Sequence, residues 1–206
     1  MTSISTGSVG TISFTFDDGI SKNIPSLLDI LDKREIIGTF FIIGESLKIQ
    51  KNFDIAVDAH RRGHILANHT WSHPNITKIS GDELKKELSN CEMFLEKVRG
   101  PVEKKFFRPP YGAINKACAE ILRSKGYTSF LWNIDMNDWD LKRTKQQIHD
   151  DYVKLFSTAN PLRQNFISLQ HDRRLDSVEL VPDIAKLATD KGFKIVPLEP
   201  PLVSVV

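Results

Sequence analysis

The chain has 206 residues, long enough for one domain with a sizeable buried core. Its 28 Lys and Arg against 26 Asp and Glu leave a formal net charge of +2, too small a basic excess for a protein that works on phosphate backbones, so nucleic acid is not an expected partner. No apolar run approaches the roughly 20 residues that cross a bilayer, so no membrane span is expected.

Residues 1–10 are rich in Ser, Thr and Gly and read as an N-terminal tail. They lack the basic start and apolar stretch of a signal peptide. Residues 11–16 form a β-branched and aromatic run, which predicts a strand stopping at Asp17-Asp18-Gly19. Residues 26–34 are helical in period, with Leu27, Leu28, Leu31 and Ile30 inward. A second strand is expected over 38–43, a helix over 54–62, and a third strand over 64–68, ending at His69. Ser80-Gly81-Asp82-Glu83 is a capping box that opens a helix running to about residue 98.

The pattern then repeats. Residues 105–107 predict a short strand, 115–125 a helix closed by Gly126, and 128–133 another strand. A helix over 144–157, a strand over 166–169, a helix over 181–191 ended by Gly192, and a last strand over 193–196 complete the series. Cys91 and Cys118 fall on apolar helical stripes and read as buried thiols. The basic pairs Arg61-Arg62, Lys104-Lys105 and Arg173-Arg174 are too brief to form a stripe and read as solvated surface.

Seven strand candidates alternating with helices point to parallel βαβ units, within a single domain over 11–206 that no Pro/Gly-rich linker divides. Polar residues follow the strands: Asp17 and Asp18 the first, His69 the third, Arg108 the fourth, Asp135 and Asp138 the fifth, His171 the sixth. An open sheet gathers its site mainly at one switch point, whereas a barrel makes many strand ends converge. The length is below the roughly 250 residues of a full eight-unit barrel. The expectation is an α/β fold, a shortened and distorted (β/α) barrel of about seven parallel strands.

His69 and His73 stand four apart in His-Thr-Trp-Ser-His, and with a distant carboxylate they supply three ligands to a zinc-like ion. Three protein ligands leave a position open, the mark of a catalytic rather than a structural metal site. Pro74 excludes a helical continuation after His73, so a loop or single turn is expected there. Of Asp17 and Asp18, one can be the ligand and its neighbour can take a proton from the attacking water. Asp-Gly is also ordinary turn chemistry, a four-residue His spacing occurs by chance, and Arg108, Trp139 and His171 each have plain structural readings. The sequons at Asn68 and Asn75 are short and frequent, and a glycan on Asn68 would block the metal. Together with the strand-end pattern, these clusters suggest a metal-dependent hydrolase.

Thr15-Phe16-Asp17-Asp18-Gly19, the His69–His73 run, Phe107-Arg108-Pro109-Pro110-Tyr111-Gly112, Asp135-Met136-Asn137-Asp138-Trp139 and Leu169-Gln170-His171-Asp172 stand in this order and spacing. In that arrangement the chain resembles the polysaccharide deacetylase family, also called NodB homology domains or family four carbohydrate esterases, over about residues 11 to 198. The run from His69 to Asn75 is most similar to the fungal chitin deacetylase branch. The resemblance implies that Asp17 is the general base and that Asp18, His69 and His73 hold the metal. It implies that Arg108 pairs with Asp17 and orients it, that Asp138 steadies the arginine, and that the Tyr111 backbone N–H meets the developing oxyanion. Trp139 and Leu169 would shape an apolar wall near the acetyl group, and His171 would be the general acid. No chemically required position departs from the pattern.

The function so implied is a metal-dependent N-deacetylase of N-acetylglucosamine-containing polysaccharide or oligosaccharide, chitin or chito-oligosaccharide first. The alternatives are a hydrolase of another substrate on the same fold (peptidoglycan, acetyl xylan or a small cyclic amide) and a catalytically weak carbohydrate-binding cell-wall protein. One divalent ion is expected, Zn2+ first, with Co2+ or Ni2+ able to take the same donors. The family implies a secreted or cell-wall location and an N-acetylated glycan as partner; a monomer is expected.

Overall fold

A computed structural model of the chain describes residues 2–3 and 8–200. In chain order the strands and helices are Thr2–Ser3 (β1), Thr11–Gly19 (β2), Ile24–Asp32 (α1), Thr39–Ile42 (β3), Gln50–Arg61 (α2), Ile65–Asn68 (β4), Gly81–Arg99 (α3) and Lys105–Phe107 (β5). They continue with Lys116–Ser124 (α4), Tyr127–Phe130 (β6), Ile134–Asp135 (β7), Lys145–Thr158 (α5), Phe166–His171 (β8), Leu175–Asp190 (α6) and Lys194–Ile195 (β9). The fold is of the class expected, an α/β fold of the shortened, distorted (β/α) barrel kind built on parallel strands. No helix among the described residues is long and apolar enough to cross a membrane.

The chain divides into two compact units. The first holds β1, Asp17–Ser21 and Phe40–Leu131; the second holds the body of β2 up to Phe16, Lys22–Thr39, and the chain from Trp132 onward. In the first unit the strand order is β1-β6-β5-β4-β3, and β1 with β6, β5 with β6 and β4 with β5 run parallel. Asn68 at the end of β4 lies opposite Phe107 at the end of β5, which sets His69 beside Arg108 immediately beyond. In the second unit the order is β9-β2-β8-β7, again parallel where registers are defined, and Asp135 lies opposite Leu169. β2 and β8 are buried along nearly their whole length. That explains their unbroken apolar and small-residue runs, since parallel strands covered on both faces need not alternate.

The first unit's core gathers Ile76, Leu84, Leu88, Phe107, Cys118, Leu122 and Tyr127. In the second, Phe156 and Phe166 meet edge to face at 6.2 Å, and Phe166 lies 5.0 Å from Phe193. Both cysteines are free and buried, as their stripes predicted, and burial pushes the Cys91 thiol well up.

α3, α4 and α5 start at side-chain caps. The Ser80 hydroxyl accepts the Glu83 N–H at 3.2 Å and the Glu83 carboxylate accepts the Ser80 N–H at 2.8 Å, the reciprocal box expected. Thr144 and Gln147 form a second box at the start of α5.

Several boundaries differ from expectation. β2 continues through Asp17-Asp18-Gly19 rather than stopping there. The strand expected over 128–133 is Tyr127–Phe130 (β6), and Ile134–Asp135 (β7) is a further short strand that the pattern did not include. α2 begins at Gln50 and α6 at Leu175, in both cases earlier than the sequence pattern. α6 carries Pro182 in its interior, a residue that reads as a helix start because it lacks an N–H. The upstream turns persist because Val178, Leu180 and Val181 are buried there. Within the expected 1–10 tail, Thr2 and Ser3 form β1 alongside β6; residues 1 and 4–7 lie outside the described residues, as do 201–206.

Gly44, at the turn after β3, is where α3 approaches closest. A Cβ there would stand 2.7 Å from the Cys91 Cα and 2.9 Å from the Trp71 ring. Gly44→Ala should therefore cost about 1–3 kcal/mol through overpacking, read as a lower urea midpoint. A wild-type midpoint would show that α3 can retreat freely.

Candidate active site

Successive residues of a strand point to opposite faces, so Asp17 and Asp18 should diverge. Asp18 instead adopts φ 66°, the left-handed region. That single backbone rotation, rather than a break at Gly19, turns its carboxylate toward the two histidines. Asp17 is buried at 3 % exposure, and its Oδ1 accepts a hydrogen bond from Arg108 Nη1 at 2.6 Å. The guanidinium is fully buried; burial pulls its pKa down and the Asp17 charge opposes that shift.

The histidine run is a loop leaving β4. The Asn68 side-chain oxygen accepts the Thr70 N–H at 2.9 Å, and the Thr70 hydroxyl accepts the His73 N–H at 3.0 Å. Thr70 and His73 both take left-handed backbones, φ 66° and 62°. The loop folds back so that His69 Nε2 lies 3.4 Å and His73 Nε2 3.2 Å from the same Asp18 oxygen, Oδ1.

The donor set passes a test of chemistry. His69 Nδ1 is 2.8 Å from the Arg108 carbonyl, which can only accept, so this nitrogen carries the proton. In the neutral ring Nε2 then offers a lone pair, aimed at a carboxylate that also offers lone pairs. Two acceptors face to face need a cation between them. His73 Nδ1 stands 3.2 Å from the Tyr111 hydroxyl, and that hydroxyl is 3.4 Å from the His73 carbonyl it donates to, so Nδ1 donates and Nε2 is again the free nitrogen. Such outer partners fix the tautomer of ligating imidazoles. Burial raises the Asp18 pKa; with a second proton on each ring, hydrogen bonds and charge from His69 and His73 would more than offset this and hold the carboxyl below the ordinary range, so the carboxylate meets either imidazolium or a metal cation. Among the described residues, the atoms of Asp18, His69 and His73 lie within 4.8 Å of one another and could hold a metal ion.

Tyr111 also has a left-handed backbone, φ 60°, inside the turn Pro110–Gly112. Its N–H makes no hydrogen bond among the described residues. Its ring packs edge-on to His73 at 4.7 Å, a side-chain contribution that sequence reasoning missed by assigning only the N–H.

In the second unit, the Asp138 carboxylate grips His171. Oδ1 stands 2.7 Å from His171 Nδ1 and Oδ2 accepts the His171 N–H at 2.8 Å, a two-point hold on the last residue of β8. Arg174 donates to the carbonyls of Asp138, Asp140 and Arg143, tying down the loop after β7. In that loop Trp139 is 56 % exposed, whereas Leu169 is buried within β8. Asn68 escaped sequence reasoning although it adjoins His69; it is fully buried, which also removes it as a glycan acceptor.

The polysaccharide deacetylase family profile matches residues 5–130. A peptidoglycan-N-acetylmuramic acid deacetylase, PdaA, of Bacillus subtilis is 29 % identical over 184 residues, covering 89 % of this chain and 68 % of that protein. Chitin deacetylase 1 of Cryptococcus neoformans is 31 % identical over 180 residues, and this chain, matched over 81 % of its own length, spans 38 % of it. The solved chitin deacetylase of Colletotrichum lindemuthianum shares the fold, with a TM-score of 0.88 at 22 % identity, over 96 % of this chain and 89 % of that one. The profile covers more than half of the chain and the motifs stand at the strand ends observed, so the chain belongs to the polysaccharide deacetylase family.

Proposed function

We propose that this chain is a metal-dependent hydrolase that removes N-acetyl groups from an N-acetylglucosamine-containing glycan, chitin or chito-oligosaccharide first. The observation that carries the reading is the pair of adjacent carboxylates with different partners: Asp18 faces two imidazole lone pairs while Asp17 is clamped by a buried guanidinium. Relatives bearing the names chitin deacetylase and peptidoglycan-N-acetylmuramic acid deacetylase support an N-acetylated glycan as the substrate class. The His69–Asn75 run supports chitin as the first polymer to test. The family also supports a secreted or cell-wall location, and we assign the working form as a monomer.

Asp18, His69 and His73 would hold the ion; two imidazoles and a carboxylate suit zinc, and cobalt or nickel accept the same donors. A divalent ion there would supply Lewis acidity toward water and the acyl oxygen. Asp17 accepts the proton of the attacking water, and Arg108 holds the carboxylate at one angle. The Tyr111 N–H donates to the oxygen on which charge develops, where a fixed donor lowers the barrier most. His171, kept in one orientation by Asp138, gives its proton to the departing amine, and Trp139 and Leu169 form an apolar wall for the acetyl methyl.

Acetate release from chito-oligosaccharides, peptidoglycan and acetylated xylan, with metal analysis of the same protein, tests the reading. His69→Ala, His73→Ala and the double variant should lose bound metal and hydrolysis together. Asp17→Asn should keep the metal and lose about 10²-fold or more in rate, since the amide cannot serve as a carboxylate base. Stoichiometric zinc in the double histidine variant would overturn the ligand assignment.

The role of His171 separates on leaving groups. An acetamide expels a poor leaving amine unless it is protonated, whereas an activated aryl acetate expels a group that scarcely needs the proton. Metal-loaded His171→Ala should lose most activity on the acetamide and much less on the aryl ester. Equal losses would argue against a leaving-group acid, and loss of metal would make His171 a ligand.

A further inference from the structure

The backbone of the ligand loop is held from outside by a carboxylate that no motif includes. Glu87 projects from α3 beside the buried stripe of Leu84, Leu88 and Cys91. Its Oε2 accepts the backbone N–H of both Trp71 and Ser72 at 2.8 Å, and its Oε1 accepts the Ser72 hydroxyl at 2.8 Å. Successive backbone N–H groups converging on one anion make a concave nest, and hydrogen bonds to an ionised acceptor are the strong class. Here the anion is part of the protein.

The other edge of the loop is fixed as well. The Gly44 N–H donates to the Thr70 carbonyl at 3.0 Å and the Glu45 N–H to the Trp71 carbonyl at 2.9 Å. The Trp71 ring lies 5.2 Å from Phe94 of α3. Trp71 therefore has its N–H, its carbonyl and its ring all engaged, and it sits midway between His69 and His73. Ser72 is exposed, and water could satisfy its donors without Glu87. What water cannot do is hold the segment in one conformation, with left-handed residues on both sides of it.

We propose that Glu87 is a positioning residue for the metal ligands: by clamping Trp71 and Ser72 it presents His73 at the distance from His69 that one ion requires. The inference rests on the reading that His69 and His73 hold the metal. Freed of the clamp, the loop must lose conformational freedom when the ion binds, and affinity falls by that amount. Partners that act one shell beyond the ligands alter metal affinity by about 10–100-fold, so Glu87→Ala should weaken zinc binding about tenfold. Glu87→Gln keeps an oxygen for the two N–H groups and an amide for the Ser72 hydroxyl, and should rescue most of the affinity.

Zinc affinity by chelator competition and the visible spectrum of the cobalt-substituted protein provide the readouts, with Glu83→Ala as the control. That variant breaks the capping box of the same helix and should lower the Tm while leaving zinc affinity and the cobalt spectrum unchanged. The inference stands if Glu87→Ala loses affinity and changes the cobalt spectrum, with Glu87→Gln close to wild type. It fails if Glu87→Ala binds zinc as wild type does, or if Glu83→Ala loses as much affinity at a matched loss of Tm. Wild-type protein that binds no zinc would overturn the metal reading itself, and this inference with it.

Discussion

The first unit is organised around one buried charge. The Arg108 guanidinium has no exposure to water, and taking such a group out of solvent is costly unless its donors are met. Nη1 donates to Asp17, Nε to the Phe130 carbonyl at 3.4 Å, and Nη2 to the Leu131 carbonyl at 3.3 Å. The Phe41 ring stacks 4.1 Å from the guanidinium carbon. One side chain thus ties the ends of β2, β3, β5 and β6 to each other. Losing either member of such a pair leaves a bare charge in the interior, at about 3–5 kcal/mol, so the clamp on Asp17 and the integrity of these strand ends are the same interaction.

That clamp also explains how two neighbouring carboxylates acquire separate partners. Asp17 is held by Arg108 on the buried side and is 3.8 Å from His69 Nε2. Asp18, turned by its left-handed backbone, meets both imidazoles. The main-chain carbonyl of Arg108 meanwhile accepts from His69 Nδ1, so one residue orients Asp17 through its side chain and sets the His69 tautomer through its backbone. The parallel register of β4 and β5 makes both contacts possible, because it brings residues 68–69 alongside 107–108.

The features legible in the sequence are those with local signatures. Strand ends showed because apolar runs meet Asp-Gly, His or Arg-Pro-Pro there, and α3 showed through Ser80 and Glu83. The start of α6 was obscured by Pro182, whose local cost is overridden by burial of Val178 and Val181 in tertiary contacts. β7 went unseen because a two-residue strand is too short to show a period. In the site, Asp18, His69 and His73 were recognisable as donor types at short spacing. The Asp138–His171 pair was not, since its members are 33 residues apart and carry no shared pattern. Glu87 was invisible for the same reason: on sequence it is one more acidic residue on a charged helix face. Roles assigned by family resemblance are a different kind of knowledge, and for Asp138 the structure adds His171 as a partner that the resemblance did not name.

The backbone supports the location of the site without appeal to any relative. Among the described residues six non-glycine positions have positive φ, and four of them are Asp18, Thr70, His73 and Tyr111. Each such conformation costs on the order of 1–3 kcal/mol and persists only where its surroundings over-determine it. A chain needing only a stable barrel end could place glycine at these turns and avoid the cost. Here the residues in the costly conformation are two of the three candidate ligands, the threonine whose hydroxyl accepts the His73 N–H, and the tyrosine that packs on His73. The hydrogen bonds that Asn68 and Glu87 accept from this loop, and that Gly44 and Glu45 donate to it, offset strain concentrated where the candidate ligand atoms converge. Four of the six strained positions thus cluster where the candidate ligands converge, the pattern expected of a site kept for function.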